Sequence, residues 1–173
     1  MQDGELYRQI LGIEAPWLVE QVELKLGEGE VHVYLEHQQT ASWQCPECGV
    51  GCQLYDHQEE RRWRHLDTCQ YQTILHARPP RTQCAEHGVR VVKLRWAEPA
   101  SRFTALMERL VIDWLRTASQ KAVGEPLGLS WDEIHGIMER AVERGLKRRE
   151  AEPLPGLGVD EKAFAKGTSI SRW

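Results

Sequence analysis

The sequence predicts an α+β chain, β-rich up to Glu98-Pro99 and helical beyond, and three patterns carry that expectation. Two short ligand pairs, Cys45-Pro46-Glu47-Cys48-Gly49 and Cys84-Ala85-Glu86-His87-Gly88, bracket a strand-rich insert. Apolar residues alternate with period two before these pairs, the mark of half-buried strands, and a strand-like run lies between them. After Pro99 they recur with the period of an amphipathic helix.

The ligand pairs are the most specific signal. Each offers two ligands separated by two residues and followed by glycine. That spacing lets both side chains of a tight turn converge on one tetrahedral ion. The glycine lets the backbone direct its N–H groups at the charged sulfurs. Two such knuckles around a strand-rich insert describe a zinc ribbon with a structural Zn held by Cys45, Cys48, Cys84 and His87. A lone C-x-x-C also fits a redox pair, and any cysteine can simply be buried, but a matched second pair argues for metal. Cys52 and Cys69 are the spare thiols; His57, His65 and His76 are read as polar groups of strands and turns.

Taken in order, residues 5–12 suit a short helix through Leu6, Ile10 and Leu11. Val22, Leu24 and Leu26, then Val31, Val33 and Leu35, alternate on either side of Gly27-Glu28-Gly29-Glu30, which reads as a β-hairpin arm over residues 1–40. The ribbon follows over residues 41–98. Its insert holds Trp63-Arg64-His65-Leu66-Asp67 and a strand over residues 70–77; Arg78-Pro79-Pro80-Arg81 turns into the second knuckle, and residues 89–96 make a last strand.

Residues 99–150 read as a helix-turn-helix. Phe103, Leu106, Met107, Leu110, Val111, Trp114 and Leu115 form one apolar helix face. A short helix over Ser119–Leu127, interrupted by Gly124 and Pro126, is followed by a glycine-containing turn. Proline inside a helix costs roughly 3 kcal/mol, so that helix should be short or bent. Ser130 and Glu133 form a capping box that starts the next helix, with Trp131, Ile134, Met138, Ala141 and Val142 expected on its buried side. Helix pairs joined by glycine turns are common, and many bind no DNA. If this one does, His135, Glu139 and Arg140 are the side chains placed near bases. Residues 151–173 read as a linker and a short strand ending at Asp160-Glu161.

At 173 residues the chain can hold one or two compact domains. The net charge of −4 hides an asymmetry. Residues 1–60 carry two basic and twelve acidic side chains, whereas residues 61–95 carry eight basic and two acidic ones. Arg61, Arg62, Arg64, Arg78 and Arg81 are therefore candidates for phosphate contact in double-stranded DNA; self-pairing of acidic arm and basic ribbon is the other interpretation. Asp132, Glu133, Glu139 and Glu143 crowd the recognition-helix face, which keeps a protein-interaction module in view. Five cysteines, no leader-like start at Met1–Ile10 and no apolar run of ~20 residues predict a cytoplasmic protein with no membrane partner.

The order of these parts resembles the N-terminal portion of bacterial insertion-sequence transposases of the "ISL three" group. The resemblance rests on Cys45-Pro46-x-Cys48-Gly49, Tyr55-Asp56-His57, Arg62-Trp63-Arg64-His65-Leu66-Asp67, Leu75-x-Ala77-Arg78-x-Pro80-Arg81 and Cys84-x-x-His87-Gly88. It continues through Trp96-Ala97-Glu98-Pro99, Leu127-Gly128-Leu129-Ser130-Trp131 and residues 158–167. It implies a zinc ribbon, a helix-turn-helix and then an RNase H-like catalytic domain that holds two divalent metal ions, Mg in the intact parent enzyme, with three acids. The first of those acids maps onto Asp160.

After Gly167 the sequence departs from the family, and the other two acids are absent before Trp173. The expectation is thus a truncated transposase in the bacterial cytoplasm, nucleoid-associated, with only the first catalytic strand. It would bind terminal inverted repeats without strand transfer, with a second copy or an intact transposase as its protein partner. An oligomerisation module, or an active enzyme completed by a second polypeptide, are the alternatives.

Overall fold

The computed structural model describes residues 3–150. The linker and the strand expected to carry Asp160 lie outside these residues. Two compact units divide the chain at Met138 and Glu139.

The first unit opens with α1 (Asp3–Ile10), then the hairpin of β1 (Trp17–Lys25) and β2 (Glu30–His37). Next come β3 (Trp43–Gln44), β4 (Gly51–His57), β5 (Arg61–Thr68), β6 (Tyr71–Ala77), β7 (Pro80–Cys84) and β8 (Gly88–Val91). They make two four-stranded sheets that alternate along the chain, ordered β1-β2-β6-β5 and β3-β4-β7-β8. The hairpin therefore does not stand apart as an arm: β2 pairs in parallel with β6, with Val33 opposite Leu75, and the first sheet crosses the boundary expected at residue 40. β8 ends at Val91, five residues before the expected end of that strand at Trp96, and the chain leaves the sheet there.

The first core lies on one face of the β1-β2-β6-β5 sheet. Alternation directs Val31, Val33 and Leu35 of β2 and Leu75 and Ala77 of β6 to that face. Trp17, Trp43, Trp63 and Trp96 close over them, Trp17 and Trp96 meeting edge to face at 4.6 Å. Truncating fully buried Trp63 to alanine in such a core costs about 3–5 kcal/mol. The opposite face carries a buried polar chain. His32 Nδ1 lies 2.7 Å from His76 Nε2, with Glu30 and Glu60 against the outer ring nitrogens at 2.8 and 3.0 Å.

Residues 101–104 cover the free edge of β5. The Arg64 N–H donates to Arg102 O and the Thr104 N–H to Arg64 O. Thr104 then caps α2 (Ala105–Leu115), its hydroxyl accepting from the Met107 N–H. α3 (Gln120–Leu127) is one short helix with Pro126 in its last turn, as its composition requires. Gly124 is needed for packing: a Cβ there would lie 2.7 Å from Leu129 O and 3.0 Å from Ile134 Cδ1. α4 (Trp131–Arg148) begins at the capping box, where the Ser130 N–H donates to Glu133 Oε2 at 2.9 Å and the Glu133 N–H to Ser130 Oγ at 3.2 Å.

The second core joins Phe103, Met107, Val111, Val123, Leu127, Ile134 and Ile137. The buried stripe of α4 therefore centres on Ile134, Ile137 and Met138. This corrects the expected stripe: Trp131 is 61% exposed and Val142 is also exposed. Of the second unit, residues 139–150 are described; they contain the C-terminal half of α4, where Lys147 pairs with Glu143 at 2.8 Å. No helix among the described residues is long and apolar enough to cross a membrane.

Candidate metal centre and nucleic-acid interface

The β3-β4-β7-β8 sheet brings the two ligand pairs together although they are far apart in sequence. Cys45 directly follows β3, and the Cys45 N–H donates to Val50 O while the Gly49 N–H returns to Cys45 O. Cys84 ends β7 opposite Gly88. Both knuckles turn through a left-handed glycine, Gly49 at φ 74° and Gly88 at φ 68°. A side chain at either position would be strained.

One ligand atom from each of Cys45, Cys48, Cys84 and His87 lies within 4.8 Å of every other. Cys48 Sγ is 3.8 Å from Cys84 Sγ; His87 Nδ1 is 3.6 Å from Cys84 Sγ and 3.8 Å from Cys45 Sγ. With Zn–S near 2.3 Å and Zn–N near 2.0 Å, a tetrahedral zinc site has S···S edges of about 3.8 Å and S···N edges of about 3.5 Å. The donor set and its dimensions therefore fit zinc, held by these four residues. Backbone N–H groups stabilise the ligand anion: the His87 N–H first, then the His87 ring and the Glu86 N–H, hold the Cys84 thiol down to about 6. Cys52 instead donates to Val50 O, and Cys69 is exposed.

The arginines expected on phosphates occupy different environments. Arg64 is a correction. Its side chain is 9% exposed, paired with Asp67 and bonded to His65 O, so it braces β5 and offers no face to a phosphate. Arg81 is held by both carboxylate oxygens of Asp56, whose carboxyl it keeps below the usual range. Arg61 donates to Ser101 O at 3.1 Å and lies 4.9 Å over the Trp63 ring. Arg62 is exposed near Glu60, and Arg78 is exposed. The sign asymmetry is thus spent partly inside the fold, including an exposed pair between Arg95 and Glu14.

On α4, His135 is half-buried and stacks on Trp131 with ring centroids 4.9 Å apart at 9°. Glu139 and Arg140 lie one turn further along the same helix. The exposed Trp131 is the feature that sequence reasoning missed. A stripe centred on Ile134 and Ile137 leaves position 131 at its edge.

Comparison with known proteins agrees with this architecture. Residues 41–87 match the zinc-finger of transposase IS204/IS1001/IS1096/IS1165, and residues 92–142 match the helix-turn-helix domain of transposase family ISL3. The chain is 28% identical to the transposases for insertion sequence element IS1557 from two strains of Mycobacterium tuberculosis, CDC 1551 / Oshkosh and H37Rv. Each alignment takes in 96% of this chain and 39% of the relative, so the chain spans about two fifths of the length of the curated relatives it matches. No solved structure matches at a significant level. Two consecutive domains of one family, in that family's order and together spanning more than half of the sequence, place this chain in the ISL3 transposase family.

Proposed function

We propose that this chain binds double-stranded DNA at the terminal inverted repeats of its parent element. A ribbon built around structural zinc positions the DNA, and the helix-turn-helix reads it. The observation that carries this reading is a closed Cys3His cluster of tetrahedral dimensions directly followed by a capped helix-turn-helix. Cys45, Cys48, Cys84 and His87 are the zinc ligands. Zinc so enclosed supplies folding energy, not chemistry. The working division takes the β3-β4-β7-β8 sheet with its two knuckles as the ribbon and residues 99–150 as the reading module.

α4 would lie in the major groove with His135, Glu139 and Arg140 near base edges. Glu139 can accept from cytosine N4, and Arg140 can donate to guanine. Arg61, Arg62, Arg78 and Arg81 are placed toward phosphates, Arg81 needing to exchange Asp56 for its new partner. On this reading the described residues bind and position DNA, and strand transfer is not their task. Two-metal transfer needs several converging carboxylates, with Mg in the intact parent enzyme. Magnesium-dependent cleavage of end-containing DNA by this chain, abolished by Asp160→Ala, would overturn that part.

A second reading, an interface with another copy or with an intact transposase, draws on exposed Trp131 beside Asp132 and Glu133. A salt-dependent gel-shift series with element ends and scrambled duplexes, run beside sedimentation of the chain alone, separates the two. DNA reading gives end-selective, salt-sensitive shifts. The interface reading gives concentration-dependent mass with no shift.

A further inference from the structure

Periodicity alone carries the strand after the second knuckle to Trp96, yet the chain leaves the sheet after Val91. Its continuation, residues 92–95, forms one wall of a cleft of about 670 Å³. Pro79, Val92, Leu94 and Ala97 contribute apolar lining. Four cations line it: Arg61, Arg90, Lys93 and Arg95. Glu47 and Glu98 are the only acids among its lining residues, which leaves a net excess of positive charge. Lys93 and Arg95 also line a second cavity of about 800 Å³ beside Trp17 and Trp43.

Arg90 and Lys93 of this cleft differ from the arginines that carry carboxylate partners, among which is Arg95, paired with Glu14. Arg64 and Arg81 are each bound by a carboxylate, and Arg62 has Glu60 nearby. Arg90 bonds only to the carbonyl of Val89, and Arg90 and Lys93 are exposed with no acidic partner among the described residues. Arg61 is already oriented by Ser101 O and the Trp63 ring. A phosphate arriving here displaces no internal ion pair from Arg90, Lys93 or Arg61. At Arg81 it would have to compete with Asp56. The cleft also reaches Ala105, the first residue of α2, so it adjoins the start of the helix-turn-helix.

We infer that the cleft lined by Arg61, Arg90 and Lys93 seats the sugar–phosphate backbone of DNA. The cations take phosphate oxygens and the apolar lining lies against the sugars. The main electrostatic footprint thus moves from Arg62, Arg64, Arg78 and Arg81 to this cleft. The inference rests on the DNA-binding reading and names the surface that reading needs.

The test uses the full zinc-loaded chain and a mixed-sequence duplex, because binding to the phosphate backbone does not depend on sequence. Affinity is measured across a salt series for the wild type, Arg90→Gln/Lys93→Gln, the charge-retaining Arg90→Lys/Lys93→Arg, and Arg64→Gln. Each phosphate left without its cation makes the slope of log affinity against log salt shallower by about 0.9. The double glutamine variant should therefore have a slope shallower by about two units. The charge-retaining variant should keep the wild-type slope, which excludes a merely structural effect. Arg64→Gln should keep the slope even where it lowers thermal stability. A wild type that binds, with an unchanged slope in the double glutamine variant, overturns the cleft but leaves the DNA reading standing. A wild type with no salt-dependent binding overturns both.

Discussion

At the scale of single residues, the joint between the first sheet and the helices includes one neutral histidine beside its backbone hydrogen bonds. Thr104 Oγ1 accepts from the Met107 N–H as the cap of α2, so its own hydrogen is free to go to His65 Nδ1, 2.7 Å away. A protonated His65 would take that acceptor away and compete for the Thr104 oxygen. Burial first, and then the charge of Arg64, push His65 down to about 4. Since its folded value lies below the usual 6.5, its stabilising contribution is complete above pH 6.5 and is lost as pH falls toward 4. The full loss is about 3 kcal/mol, at about 1.4 kcal/mol per pKa unit. An NMR titration should find this ring neutral until about pH 4; a ring titrating near 6.5 would contradict the joint. The sequence marks His65 as a polar group of a strand, and that position is legible. Its partner is not, because Thr104 is distant in sequence and the bond depends on how the segment after Ala100 returns to β5. Trp131 teaches the same lesson in reverse. A large apolar residue at helical spacing looks like core, but the rotation of α4 is set by Ile134 and Ile137 against α2 and α3.

At the scale of elements, the strands are legible and their partners are not. Period two in residues 31–35 and the strand-like run at residues 71–77 mark strands, yet nothing local says that β2 pairs with β6 while β4 pairs with β7. The consequence is measurable. Structural zinc in such sites contributes roughly 10 kcal/mol or more of apparent binding energy at neutral pH. Of the two sheets, the β3-β4-β7-β8 sheet carries the Cys3His cluster; β5 and β6 share a core with β1 and β2. Chelation should therefore release the amides of β4, β7 and β8 to exchange while those of β2 and β6 stay protected. Equal loss across both sheets, or protection in β4 and β7 without metal, would contradict this division. The helix pair offers a second test. Gly124→Ala forces a methyl group against the Leu129 carbonyl and Ile134, so it should destabilise the helical core by about 1–3 kcal/mol in denaturant unfolding. An unchanged midpoint would show that α3 and α4 give way without cost. The capping box needs no tertiary information, since Ser130 and Glu133 meet within one helical turn.

At the scale of the whole molecule, the candidate metal site is the most legible feature and the DNA surface the least. Ligand spacing within each knuckle is a local property, and two matched knuckles imply a shared ion before any fold is known. Charge is different. A run of arginines in sequence does not reveal which will be neutralised by Asp56 or Asp67 once strands pair. The most direct test of the central claim is a competition gel shift with duplexes carrying the element's terminal repeats and scrambled controls, run across a salt series with and without a zinc chelator. The zinc-loaded chain should prefer the repeats and lose affinity steeply with salt, and chelation should remove the ribbon's share of binding, seen as a shallower slope and weaker complex. Binding that ignores sequence, salt and chelator alike would contradict the account.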